Sequence, residues 1–95
     1  MTAGPRFVWD EEKSRSNLAR HRVSFEFAAA VFDDPDHLVD DDQFALGEYR
    51  LVAIGSIGPV VLAVVFSEPA EDVIRLISAR RATPAERRAY DQARR

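Results

Sequence analysis

Arg50, Arg80, Arg81, Arg87 and Arg88 are the residues of this chain whose type and placement most invite a chemical reading. A guanidinium stays charged and presents a planar fork of donors that matches the oxygens of a phosphate. Seven arginines fall within residues 73–95 against only Glu86 and Asp91, a net of +5. Residues 24–49 hold eight acids and no Lys or Arg, while residues 1–23 come to +2 and residues 50–72 to −2. The formal total of −3 therefore hides two basic ends around an acidic middle. Such asymmetry points to an anionic partner and says nothing about fold. Taken singly, Arg87, Arg88, Arg94 and Arg95 form a solvated helix face beside Ala85, Ala89 and Ala93. Taken with Arg80 and Arg81, they form a phosphate-binding surface.

Other side chains add to this set. Arg50 is in phase with Glu48, Val52 and Ile54, and Arg80 with Ile74, Leu76 and Ser78, whereas Arg75 falls in phase with Val73, Ile77 and Ala79. An arginine in phase with aliphatic residues is either half-buried against a carboxylate or displayed for a ligand. His21 stands between Arg20 and Arg22, either closing a helix or taking a catalytic or RNA-contacting role. Tyr90 has three possible roles: packing, stacking on a base, or giving up a proton. His37 lies among Asp33, Asp34, Asp36 and Asp40–Asp42, but that acid run reads as solvated loop. No HExxH or EF-hand spacing is present, so no metal site is expected. GxSxG, Walker and Rossmann signatures are also absent.

These side chains need a scaffold, and 95 residues at 46% hydrophobic and 31% charged provide one small globular domain, 1–95. There is no cysteine, hence no disulfide framework, thiolate metal site or cysteine nucleophile. The opening residues lack the apolar core of a cleaved signal. The run Pro59–Phe66 falls far short of the roughly 20 residues that a membrane span needs. A soluble, cytoplasmic protein is expected.

The predicted order is β-α-α-β-β-β-α. Residues 6–9 form a short strand, and Asp10 caps a helix running to about Arg22 with Glu11 and Glu12 in its first turn. Ser24 caps a second helix of about two turns, with Phe25, Ala28, Ala29 and Phe32 on one face, stopped at Asp33-Asp34-Pro35. Residues 37–46 are ambiguous, because Asp40–Asp42 interrupt any strand. Residues 48–58 and 59–67 form a hairpin turning near Gly55–Pro59, and the second is apolar in both phases, as in a central strand covered on both faces. Residues 73–81 form the last strand. Thr83, Pro84 and Glu86 then spell a capping box opening the final helix. The fold class is α+β with a mostly antiparallel sheet.

Several stretches, in order, resemble the BrnT family of toxins from type II toxin–antitoxin modules. The family's W-D-x-x-K-x-x-x-N opening falls on Trp9, Asp10, Lys13 and Asn17, and its K-H-x-V-S-F segment on His21, Val23, Ser24 and Phe25. An E-x-R strand falls on Glu48 and Arg50. The I-S-A-R…E-R…Y ending falls on Ile77–Arg80, Glu86, Arg87 and Tyr90. Arg20 stands where the family usually has Lys, and Arg22 where it frequently has Gly. The resemblance implies a RelE-like ribonuclease fold, toxicity through RNA cleavage and blocked translation, and no cofactor. It also implies a BrnA-type antitoxin whose DNA-binding domain brings the pair to operator DNA, repressing their own operon, with no membrane partner.

On that resemblance, a metal-independent endoribonuclease would use the substrate's own 2′-hydroxyl as nucleophile. Arg50 and Arg80 would stabilise charge on the phosphate, with Lys13 nearby. Arg20, Arg81, Arg87 and Arg88 would bind flanking RNA. His21 would act as acid or base, with Glu48 or Tyr90 in reserve. Two rival readings use the same basic ends: a non-catalytic nucleic-acid-binding module, and a docking subunit for an acidic partner.

Overall fold

The computed structural model describes residues 4–42 and 49–94. Five strands form one sheet in the order β1-β5-β4-β3-β2: β1 (Arg6–Val8), β2 (Leu38–Asp41), β3 (Leu51–Ile57), β4 (Val60–Ala70) and β5 (Val73–Arg81). The β2–β3, β3–β4 and β4–β5 pairs are antiparallel, whereas β1 runs parallel to β5, so the sheet is mixed. Helices α1 (Glu11–His21), α2 (Phe25–Ala28, continuing as a 3₁₀ turn over Ala29–Asp33) and α3 (Pro84–Ala93) complete the α+β fold. The ambiguous stretch resolves in part: Leu38–Asp41 is an edge strand, while Glu48 and residues 43–46 lie outside the described residues.

The central position of β4 follows from its apolar composition. Leu62, Val64 and Phe66 face α1 and α2, in a core with Phe25, Ala28, Val31, Ala53, Ile74, Leu76 and Ala79. Val61 and Ala63 face the other way, against Ile54 and Tyr90 of α3. Helix α3 is anchored mainly by Tyr90, because Ala85, Ala89 and Ala93 are exposed. It therefore covers one end of its sheet face and leaves the other end open.

Counting alternation straight along β5 gives the wrong faces. Val65 pairs with Ser78 but Phe66 pairs with Leu76, so Ile77 is an extra residue in β5. A bulge of this kind flips the alternation beyond it. Ile74 and Leu76 thus share the core face with Ala79 rather than with Arg80, while Arg75, Ser78 and Arg80 share the opposite face. Arg81, opposite Leu62, returns to the α1 and α2 side. The bulge places Arg75 and Arg80 on the same side of the sheet as Val52 and Ile54. Arg50, one residue before β3, continues that row.

Helix α1 buries little apolar surface, and Leu18 is 47% exposed. It is held by polar contacts instead. Asp10 caps it, accepting from the backbone N–H of Glu12 (2.8 Å) and Lys13 (3.3 Å). Ser14 Oγ accepts from the N–H of Phe25 at 3.1 Å. Beyond the short β1, the free edge of β5 is met by Asn17, which accepts from Ala79 N–H at 3.2 Å and donates to the carbonyls of Ala79 and Val23 at 2.8 Å. The helix ends at Arg22 in the left-handed region, at φ +62°. That conformation suits glycine and strains arginine.

Candidate functional site

Two adjoining depressions lie where α1 meets the uncovered end of the sheet. The larger, about 420 Å³, is walled by Trp9, Lys13, Arg50, Arg75 and Ile77. The smaller, about 160 Å³, continues along α1 past Ser16, Arg20 and His21 to Ser78 of β5. Lys13 and Ile77 line both, so the two form one groove. On α1, Lys13, Ser16, Asn17 and Arg20 recur at the three- and four-residue spacing of one helical face. Asn17 fixes that face against β5, and the Ile77 bulge turns Arg75 and Ser78 toward it.

Arg50 is less exposed than Lys13, Arg20 or Arg75. Its Nε is buried and, among the described residues, makes no hydrogen bond. Its backbone carbonyl accepts from the N–H of Asp42 at 3.0 Å, tying the start of β3 to the end of β2. Trp9 is fixed as well: its Nε1 donates to Glu11 at 2.9 Å and its ring meets Phe25 edge-on at 6.4 Å between centroids. The cationic lining suits an anion such as phosphate more than it suits a divalent metal. Among the described residues, no group of three His, Asp or Glu side chains is placed to hold one.

Lys13, Arg20, His21 and Arg50 thus come together in the groove. Arg80 lies on the same sheet face but lines neither depression. Its guanidinium makes a two-pronged contact with Glu86, at 2.7 and 3.0 Å. The Glu86 bond raises the Arg80 pKa, burial opposes it, and the Glu86 and Asp42 charges add to the rise. Glu86 is in turn held below its ordinary range, chiefly by the Arg80 bond, against burial and with help from the Thr83 N–H. Glu86 serves two partners, since the capping box places its carboxylate on the Thr83 N–H at 2.8 Å. Arg81, Arg87 and Arg88 are exposed outside the groove.

Tyr90 is buried and its hydroxyl faces away from the groove, donating to Asp34 and lying 3.0 Å from Ser56 Oγ. Asp34 gathers this region. It also accepts from the N–H (2.9 Å) and Oγ (3.2 Å) of Ser56 and from the N–H of Asp36 (2.9 Å). Burial pushes its pKa up, but the bonds from Ser56 N–H, Tyr90, Asp36 and Ser56 Oγ outweigh it and hold the carboxyl at about 2. The acid run is therefore not uniformly solvated loop. Gly55 allows this crossing, because a Cβ there would meet Val31 Cγ1 and His37 Cβ at 2.9 Å.

Sequence reasoning passed over Arg75, placed on the wrong face by the bulge, and Asp34, read as a helix stop and as part of a solvated acid run. Trp9 entered only as the end of a strand, which stops at Val8, and as part of a motif. No local signal marks Arg75; its face follows from the register, in which it pairs with Ser67 of β4, and Ser67 directly follows Phe66, the partner of Leu51.

A family described as "Ribonuclease toxin, BrnT, of type II toxin-antitoxin system" matches residues 9–86. Among solved structures, the 1.1 Å crystal structure of the Brucella abortus ribonuclease toxin BrnT is similar at a TM-score of 0.68 and 30% identity. The likeness covers 83% of this chain and 97% of that one. No curated protein matches.

Proposed function

The chain belongs to the BrnT family of ribonuclease toxins from type II toxin–antitoxin systems, and on that premise we propose that it cuts RNA in the Lys13–Arg50–Arg75 groove without a metal ion. The observation that carries this reading is Arg50, whose Nε is buried in a cationic cleft without a partner among the described residues. Leaving a buried donor unmet costs on the order of 1–3 kcal/mol. A phosphate oxygen in the cleft would satisfy it.

In the reaction, the 2′-hydroxyl attacks the adjacent phosphorus as a base takes its proton. The P–O5′ bond breaks and the 5′-oxygen receives a proton, leaving a 2′,3′-cyclic phosphate and a 5′-hydroxyl. Arg50, Arg75 and Lys13 stabilise the charge that builds on the phosphoryl oxygens. His21 is the candidate for proton transfer, a role that contributes typically ~10²–10⁴-fold, with Glu48 as the alternative. Tyr90 serves to anchor α3, its hydroxyl being committed to Asp34 and Ser56. Arg80 could reach RNA only by leaving Glu86, and Arg20, Arg81, Arg87 and Arg88 contribute to flanking phosphates.

A type II toxin has a protein antitoxin as partner. We assign this chain one of the BrnA type, which covers the groove and carries the pair to operator DNA, the toxin acting on translation in the cytoplasm. Among the described residues, no helix is long and apolar enough to cross a membrane.

The test is one short RNA and its twin with a single 2′-deoxy substitution at the cut site, each with and without EDTA. Cleavage of the RNA alone, undiminished by EDTA, is expected. Cleavage of the deoxy twin, or dependence on added divalent metal, contradicts the mechanism. Binding without cleavage would favour a non-catalytic module.

A further inference from the structure

The groove is longer than one phosphate. Lys13 and Arg20 are seven residues apart on α1, about 10 Å along the axis at the helical rise. Arg50 and Arg75 add charge at the Lys13 end, beside Trp9. Among the described residues, Asp10 is the one carboxylate lining the groove, and its Oδ1 already accepts from two helix N–H groups. An indole held by Glu11 and Phe25 beside these cations is a rigid aromatic wall.

We propose that Trp9 is a base-stacking platform and that the groove takes single-stranded RNA spanning two successive phosphates. One phosphate lies among Lys13, Arg50 and Arg75, the other toward Arg20 and His21, and the base beside the first rests on Trp9. This rests on the reading of the groove as an RNA site. Duplex RNA cannot satisfy it, because its bases are stacked inward and a base must leave the stack to meet an aromatic side chain. An unpaired base can stack on an aromatic ring whatever its identity, so the platform selects for strandedness more than for sequence.

The chain holds a single tryptophan, so its fluorescence reports the groove directly. The experiment titrates the full chain with a short 2′-deoxy-substituted single strand that cannot be cut, with the duplex of the same sequence, and with the single strand carrying one abasic position at each site in turn. Saturable quenching by the single strand, lost with the duplex and with one abasic position, is expected. In parallel, anisotropy of the labelled strand follows binding to two folded variants. Trp9→Phe should stay within a few-fold of the parent, and Trp9→Ala should bind about tenfold more weakly or worse. Binding without quenching, or equal quenching by strand and duplex, overturns the platform while leaving the RNA reading intact. Failure to bind or cut any RNA overturns both.

Discussion

Asn17 stands in for a missing strand at Ala79: one carboxamide accepts the Ala79 N–H at 3.2 Å and donates to its carbonyl at 2.8 Å, across 62 residues of sequence. The same amide reaches the Val23 carbonyl, fixing α1, the α1–α2 connection and β5 together. Since α1 contributes Lys13, Arg20 and His21 to the groove, a structural amide sets the geometry of the cationic face. Asn17→Ala should leave buried groups of Ala79 and Val23 unmet and cost about 3 kcal/mol. It should also reduce cleavage in molecules that remain folded. Urea denaturation followed by single-turnover cleavage at a temperature where both proteins are folded checks this, and an unchanged midpoint would show the amide to be dispensable.

Arg22 offers the opposite sign. A residue with φ +62° carries a side chain that this region disfavours. Arg22→Gly should raise stability by about 0.5–1 kcal/mol, the relieved strain being partly offset by the greater entropy of unfolded glycine. Lys13 and Arg50 are untouched, so cleavage should change little. A lower urea midpoint would mean that the arginine makes compensating contacts.

Asp34 makes stability depend on acid. Its folded pKa of about 2 lies below the model-compound value of 3.8, so its contribution is complete above that value and is lost as pH falls toward 2. Given partial exposure, about 1–2 kcal/mol is at stake. Asp34→Asn should lose that much at pH 7 and show a correspondingly shallower decline between pH 5 and pH 2. Glu86, also depressed, leaves a residual slope of the same sign in the variant. Parallel stability profiles for parent and variant would remove Asp34 as a source of the acid sensitivity.

The antitoxin offers a test of which face is covered. An inhibitor seated in the groove meets Arg50, whereas Arg81 projects from the other side of the sheet. Arg50→Ala should weaken a calorimetric titration by about 2 kcal/mol or more, and Arg81→Ala should leave it near the parent. The reverse pattern would place the antitoxin on the helical face.

The elements themselves were legible in the sequence because their signals are local. Asp10, Ser24 and Thr83 cap the helices they were expected to cap, and the apolar run falls within the central strand from Val60 on, with Pro59 in the turn before it. The faces of β5 were not legible, because the extra residue at Ile77 arises from pairing with β4 and leaves no mark in the local pattern. Helix α1 carries few apolar residues, so its sequence shows no face by which it docks. Its attachment through Ser14 and Asn17 is a long-range hydrogen-bond arrangement that periodicity cannot reveal. Asp34 was hidden similarly, since an acid run gives no sign of which member turns inward to meet Tyr90.

The central claim is that RNA is cut in the groove around Arg50 rather than on the arginine-rich surface of α3. The most direct measurement is single-turnover cleavage of one short RNA by the parent, by Arg50→Ala, and by the double variant Arg87→Ala/Arg88→Ala, all at saturating protein. The account predicts a loss of about 10²–10³-fold for Arg50→Ala, as for removal of one transition-state donor. The double variant should cut within a few-fold of the parent, with weaker and less salt-dependent binding. A double variant that fails to cut, beside an Arg50→Ala protein that cuts like the parent, would contradict it.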